Sequence, residues 1–463
     1  MQYMKIIILN PHDQSVVGSL PVSTKVEIIR SVKKARATFV SWKNTSINQR
    51  IEYIKKYRQL LKKHADEIAQ LITQEMGKPI SQSLDDVNGE LEFLDYYTQM
   101  GEQFLSDEAI HQTGDTKFRL VYESYGVCAC IAPWNFPISM ANSGIVPALI
   151  AGNCVVFKPS EYTSLSQKML VDLLNQTGLP KGVLNVVIGD GKVGKVLLEQ
   201  QIDLVWFTGS TAVGQSIYRQ CGEKFVKSML EMGGSSPAIV FSDANLEDTV
   251  ENLYWARFLN CGQVCTAIKR LFVEKKIYHQ LVKMLVTKVK QMHVGKPMDK
   301  NTQVGPLVSR KQLKLLKAQV ADAIKRGAKI EIGGATSSDP NLKLGNYYLP
   351  TILTNVKPQM RVLTEEVFGP VLPIVPFTNE AKAIKLANQT EYGLSAEIYT
   401  RDIKKAERVA KELDAGTVAI NTDGFFKPEC PFGGFKKSGM GKEYGHIGMQ
   451  EFAKVKLLAV RDK

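Results

Sequence analysis

The stretch Asn260-Cys261-Gly262-Gln263-Val264-Cys265-Thr266-Ala267 sets two thiols about one helical turn apart among small residues. A thiolate that attacks a carbonyl carbon needs donors for the oxygen's developing charge and a base for the later proton transfers. Upstream, Pro133-Trp134-Asn135-Phe136-Pro137 fixes a side-chain amide between two prolines, and Glu231-Met232-Gly233-Gly234-Ser235-Ser236-Pro237 sets a carboxylate against flexible backbone. Downstream lies Glu365-Glu366-Val367-Phe368-Gly369-Pro370. Each group has a plain structural alternative: a packed, inert cysteine, a carboxylate that caps a helix or pairs with lysine, an asparagine that serves a turn.

In order and separation these four segments resemble the NAD(P)-dependent aldehyde dehydrogenase superfamily, from about Asn10 to Lys456, and most of all its bacterial succinate-semialdehyde dehydrogenases. The resemblance implies an α/β fold with a Rossmann-like cofactor domain (1–110 and 127–231), an α/β catalytic domain (232–445) and a small β oligomerisation arm (111–126 and 446–463). It implies oxidation of a small-molecule aldehyde to a carboxylic acid, with succinate semialdehyde or another small aliphatic aldehyde as substrate. Cys265 would be the nucleophile, Asn135 and the Cys265 N–H the oxyanion donors, and Glu231 the base that activates water against a thioester. Cys261 is then a packing residue. Trp134, Lys158, Ser160, Glu161, Gly209, Ser210, Glu366 and Phe368 would hold NAD, with NADP admitted. Glu366 is favoured over Glu365 by alignment alone. A homodimer or homotetramer is the implied assembly. Two other readings are a dehydrogenase that passes its acyl group to coenzyme A and a non-catalytic binding protein on the same scaffold. A water-activating Glu231 argues against the first, and the presence of both nucleophile and base against the second.

A chain of 463 residues with 44% apolar and 23% charged side chains suits a globular protein of two or three domains. The net charge of +13 has no dense Lys/Arg tract behind it; Lys275-Lys276 and Lys436-Lys437 are only pairs, so a solvated basic surface is expected and no nucleic-acid partner. Seven cysteines without paired spacings imply free thiols in a reducing compartment, and none of the six scattered histidines forms a ligand pair with a cysteine at zinc spacing. The apolar run at 6–9 is too short for a signal-peptide core, and no stretch has the length that spans a bilayer. A cytoplasmic protein without membrane attachment follows.

Apolar periodicity predicts helices over 26–42, 47–76 and 81–105, and alternation predicts an extended segment over 117–127. Strands at 155–157, 184–188 and 203–207 alternate with helices at 164–176, 193–200 and 209–222, a pattern that makes a mostly parallel sheet with ligands at its carboxyl ends. After Cys265, strands at 271–273 and 417–421 and helices at 277–292 and 310–326 form a second α/β unit, and 450–460 a last strand. Two glycine patterns compete for the dinucleotide. Gly189-Asp190-Gly191-Lys192-Val193-Gly194 fits the familiar fingerprint, but Asp203 comes too early to meet a ribose. Thr208-Gly209-Ser210-Thr211-Ala212-Val213-Gly214 also joins a strand to a helix, and the resemblance favours it for the pyrophosphate. Glu161, beside Lys158 at a strand end, would bind ribose hydroxyls and repel a 2′-phosphate, so NAD is preferred.

Where semialdehyde-specific relatives carry arginines for the distal carboxylate, this chain has Ser143 and Leu259. Without a cation, burying that carboxylate costs roughly several kcal/mol. Neutral aldehydes are therefore expected to serve at least as well as succinate semialdehyde, unless Arg257 or Lys427 reaches the site.

Overall fold

The computed structural model describes residues 4–461; residues 1–3 and 462–463, the tips of the first and last predicted segments, lie outside them. Val155-Val156-Phe157 has no polar face, so its strand has to be covered on both sides. The strand Cys154–Lys158 is buried throughout. It belongs to a six-stranded sheet ordered Leu184–Val186, Cys154–Lys158, Val127–Ile131, Leu204–Thr208, Lys227–Glu231, Gly439–Met440. All neighbours run parallel except the last pair. The chain works outward from Val127–Ile131 to Leu184–Val186, then returns to the other side with Leu204–Thr208. Such a reversal opens a crevice at the carboxyl ends of the two central strands. Trp134 and Asn135 follow one of these strands, Gly209 and Ser210 the other.

The second sheet has seven strands in the order Lys329–Ile332, Thr351–Thr354, Val371–Phe377, Ile268–Glu274, Ser236–Val240, Ser395–Tyr399, Thr417–Ile420. Only its first pair is antiparallel. Cys265 lies just before Ile268–Glu274, and Glu366 and Phe368 just before Val371–Phe377. The second sheet thus turns its amino ends towards the carboxyl ends of the first, and the two sets of loops meet. A third sheet pairs Ala453–Arg461 with Thr116–Ser124, which in turn pairs with Glu108–Thr113.

Helices cover both faces of the first sheet. Thr24 and Ser46 open Lys25–Trp42 and Ile47–Lys63 with reciprocal caps to Glu27 and Gln49. The periodicity over 47–76 predicts one helix, yet the structure has two. His64 leaves helical geometry at φ −103°, ψ 15°, and a second helix, Ala65–Met76, starts beyond it. A one-residue break keeps the apolar stripe in phase, so the pattern does not register it. Gly77 (φ +80°) ends that helix, and Ile80–Leu105 follows after Pro79. The run at 6–9 forms a hairpin, Lys5–Leu9 against Val16–Pro21, that its length did not announce. All seven cysteines are free. Among the described residues, no helix is long and apolar enough to cross a membrane.

Candidate active site

Between the two sheets lies a cavity of about 650 Å³ whose lining includes Trp134, Asn135, Gly209, Ser210, Cys265, Glu366 and Phe368. Seven of the eleven sequence-predicted residues therefore share one space. Cys265 is partly accessible there, whereas Cys261 is buried. The loop that carries Cys265 is held by unusual backbone. Asn260, Cys261 and Gly262 are all left-handed, with φ of +52°, +56° and +69°. A β-carbon on Gly262 would come within 2.6 Å of the Gly369 carbonyl, so only glycine fits that approach. The Gln263 side chain donates to the Asn260 carbonyl at 3.1 Å and accepts from the Val308 N–H at 2.9 Å. Asn260 donates from its side chain to the Asn135 carbonyl at 3.0 Å, and Asn135 Nδ2 donates to the Gln263 carbonyl at 3.1 Å. These bonds tie the Asn135 amide to the Cys265 loop and leave its second N–H free.

Glu231 ends the strand Lys227–Glu231, buried, and neither of its carboxylate oxygens has a partner among the described residues. Two unsatisfied buried oxygens call for a solvent molecule or reactant. Burial first, then the Glu443 and Glu366 carboxylates, hold its acid well above the usual range. Burial and the Glu231 carboxylate likewise push the Cys265 thiol up, while the Lys269 ammonium pulls it down. Lys269, fully buried, donates to the Val264 and Cys265 carbonyls at 3.0 and 2.6 Å and stands 3.6 Å from Glu366.

Glu365 and Glu366, inseparable by residue type, are separated by geometry. Glu365 faces away, paired with Arg361 at 2.7 Å and bonded by Gln319. Glu366 accepts from the Gly234 N–H at 3.1 Å, and a β-carbon on Gly233 would strike its carboxylate at 2.3 Å. Trp134 meets the Phe368 ring edge-on at 5.6 Å.

On the first sheet, Ser210 caps the helix Thr211–Glu223 without using its side chain, which leaves first-turn N–H groups unclaimed beside the cavity. A β-carbon on Gly209 would meet the Phe207 ring at 2.6 Å. Such a helix N-terminus fits a pyrophosphate. Lys158, Ser160 and Glu161 lie outside the cavity lining, at the carboxyl end of Cys154–Lys158. Lys158 is buried and stands 3.7 Å from the half-exposed Glu161. The competing turn, Gly189 to Gly194, opens the helix Gly191–Leu198 and packs Gly194 against the Lys158 chain. Asp203 is engaged elsewhere, 2.7 Å from Arg36 and accepting the Val127 N–H at 2.7 Å.

Sequence reading missed several groups. Lys269 gave a signal, a lysine in the apolar run that follows the thiol. Glu443, beside Glu231 and taking the Trp206 indole N–H at 2.8 Å, gave none. Burial pushes Glu443 up to about 7. Glu397 and Asp423 line the cavity too, and a glutamate amid Leu394-Ser395-Ala396-Glu397-Ile398-Tyr399 was the available hint. Arg257 is no candidate for the substrate: buried, it donates to the Val367 and Gly369 carbonyls. Lys427 is exposed, 3.8 Å from Glu92.

Two α/β sheets whose loops meet over one cavity that holds a thiol make the frame of an α/β enzyme. The profile of the aldehyde dehydrogenase family matches residues 2–458, and the chain belongs to that family. Betaine aldehyde dehydrogenase of Bacillus subtilis (strain 168) is 37% identical over 97% of this chain and 92% of its own. Succinate-semialdehyde dehydrogenase [NADP(+)] GabD of Escherichia coli (strain K12) is 33% identical over 98% of this chain and 94% of its own. Among solved structures, betaine aldehyde dehydrogenase from Staphylococcus aureus in complex with NAD+ superposes with a TM-score of 0.95 at 33% identity, covering 99% of this chain and 92% of that one.

Proposed function

We propose that the protein oxidises a small aldehyde to the free acid through a covalent thioester on Cys265, with NAD preferred over NADP. The balance is aldehyde, NAD(P)+ and water giving carboxylate, NAD(P)H and two protons. One observation carries this reading: Cys265 and Asn135 open on a single cavity with Gly209, Ser210, Glu366 and Phe368.

Bound dinucleotide supplies a hydride acceptor; the chain's own residues do the rest. The Cys265 thiol loses its proton to water in the cavity, favoured by Lys269, and the sulfur attacks the carbonyl carbon. The oxygen gains charge and is met by Asn135 Nδ2–H and the Cys265 N–H. Collapse with loss of hydride leaves the thioester. Glu231 then takes a proton from water, the water oxygen bonds to the acyl carbon, and the carbon–sulfur bond breaks. Trp134, Gly209 and Ser210 would position the dinucleotide, with Glu366 and Phe368 at its nicotinamide end and Lys158, Ser160 and Glu161 at its adenosine end. These assignments make 1–110 with 127–231 the cofactor domain and 232–445 the catalytic one. Exposed Ile110, Val455, Leu457 and Val460 on the third sheet support a homo-oligomer in which 111–126 and 446–463 join subunits.

The test is absorbance of reduced cofactor with a panel of aldehydes, product identified as free acid. Formation should proceed without coenzyme A; strict dependence on that thiol would overturn the hydrolytic step. NAD should give the higher kcat/KM. Glu161→Ser should narrow the NAD-to-NADP ratio by about five- to tenfold, the scale of roughly 1 kcal/mol of repulsion at a half-exposed site. An unaltered ratio would place the 2′-phosphate away from Glu161.

A further inference from the structure

Besides the residues already named, the cavity is lined by one face of the helix Ile80–Leu105, by Trp255, by Glu397 on the strand Ser395–Tyr399, and by the loop bearing Asp423, Phe425 and Phe426. Its lining holds six carboxylates (Asp85, Asp86, Glu92, Glu366, Glu397, Asp423) and one cation, Lys78. Three of the six are matched. Lys78 sits 3.0 Å from Asp86, Lys427 3.8 Å from Glu92, and Lys269 3.6 Å from Glu366. Asp85, Glu397 and Asp423 have no partner within ion-pair distance among the described residues; Lys78, already bonded to Asp86, also acts on Asp85 from farther off.

Glu397 is the most telling of these. It is 2% exposed, in a strand whose other residues are wholly buried. One of its oxygens accepts the Tyr399 hydroxyl at 2.5 Å, and the other has no hydrogen bond among the described residues. Burial, with Asp423 nearby, pushes its acid up to about 8, so a cation in the cavity would draw it into the charged form. A buried carboxylate without a counter-ion is costly to keep unless something of opposite charge visits it. Aromatic rings line the same cavity as these acids. Phe426 lies 5.3 Å from Phe93 and 5.6 Å from Phe432, and both partners line the same cavity. Ring faces and carboxylates together suit a positively charged nitrogen. Gly89, between Asp85 and Glu92 on the helix, has nothing within 4 Å of where a β-carbon would stand, which keeps that wall open.

We infer that the preferred substrate is an aldehyde bearing a positively charged nitrogen at its far end, held by Asp85, Glu397 and Asp423 against the aromatic wall. This rests on the aldehyde-oxidising reading above and deepens it. It also turns the expected indifference to succinate semialdehyde into discrimination, because a distal carboxylate would meet Asp85, Asp423 and the buried Glu397 carboxyl, none of which offers it a counter-charge.

The experiment compares isosteric pairs on the full-length enzyme with NAD. Betaine aldehyde is set against 3,3-dimethylbutanal, which replaces N⁺ by carbon, and 3-aminopropanal against butanal; succinate semialdehyde is the anionic member. The cation-to-neutral ratio of kcat/KM should be at least about tenfold in one pair, and should fall with added salt. The pair that shows it distinguishes a methylated nitrogen from a hydrogen-bonding ammonium. Asp85→Asn with Asp423→Asn, both away from the core, should reduce that ratio severalfold, and Glu397→Gln should do the same if the buried change is tolerated. Ratios at or below one in both pairs, with reduced cofactor formed from the neutral aldehydes, would overturn the inference alone. No reduced cofactor from any aldehyde would overturn the proposed function and this inference together.

Discussion

Cys265→Ala should lower aldehyde-dependent formation of reduced cofactor by about 10⁴-fold or more, the scale set when a covalent nucleophile is deleted. Cys261→Ala should keep most of the activity. The contrast rests on placement. Cys265 reaches the cavity that Asn135, Gly209 and Ser210 also line, whereas Cys261 is packed in the left-handed turn with burial pushing its thiol up to about 12. Steady-state rates, with circular dichroism to verify folding, decide the matter. Normal turnover by the alanine variant at 265 would remove the thioester from the mechanism.

Glu231→Gln should slow steady turnover by about 10²- to 10⁴-fold, the range for a lost general base, while leaving the first hydride transfer much less affected. Rapid mixing should then show a burst of reduced cofactor followed by a slow phase. The pH dependence follows from the same carboxylate. Burial, Glu443 and Glu366 raise the Glu231 acid, and a base works only when ionised. Its active fraction therefore grows as pH rises through that raised value and is lost as pH falls. Thioester hydrolysis in the wild type should weaken towards acid, and the glutamine variant should lack this limb. Equal slowing of burst and steady phases would place Glu231 in thiol activation or in structure.

The chemistry-bearing segments were legible because each is local. A thiol near a glycine, an amide between prolines and a carboxylate before a Gly-Gly pair are each visible within a few residues, and their order and separation along the chain gave them meaning together. Helix starts were equally local, through the caps at Thr24 and Ser46. The break at His64 escaped because one residue does not disturb a 3.6-residue period. The left-handed turn at Asn260 and Cys261 escaped because only Gly262 among the three advertises positive φ. Glu366 was chosen over Glu365 by alignment alone, and the physical reason, Arg361 on one and Lys269 on the other, exists only in the folded chain. The charge of the cavity was hidden for a deeper reason. Asp85, Glu397 and Asp423 come from remote parts of the chain, and whether each has a counter-ion is decided only by tertiary packing.

The third sheet has a consequence for the order of events during synthesis. Thr116–Ser124 is made early, yet its long partner Ala453–Arg461 comes from far down the chain, and Gln450 bonds Tyr122 across 328 positions. Until that segment leaves the ribosome, Thr116–Ser124 has only Glu108–Thr113 beside it and presents an open row of backbone donors and acceptors. The edge of Lys227–Glu231, which carries Glu231, waits in the same way for Gly439–Met440. Open strand edges invite pairing with other chains, and distant closures are slow. Nascent chains crowded on one message would therefore meet at these edges before either chain could seal its own.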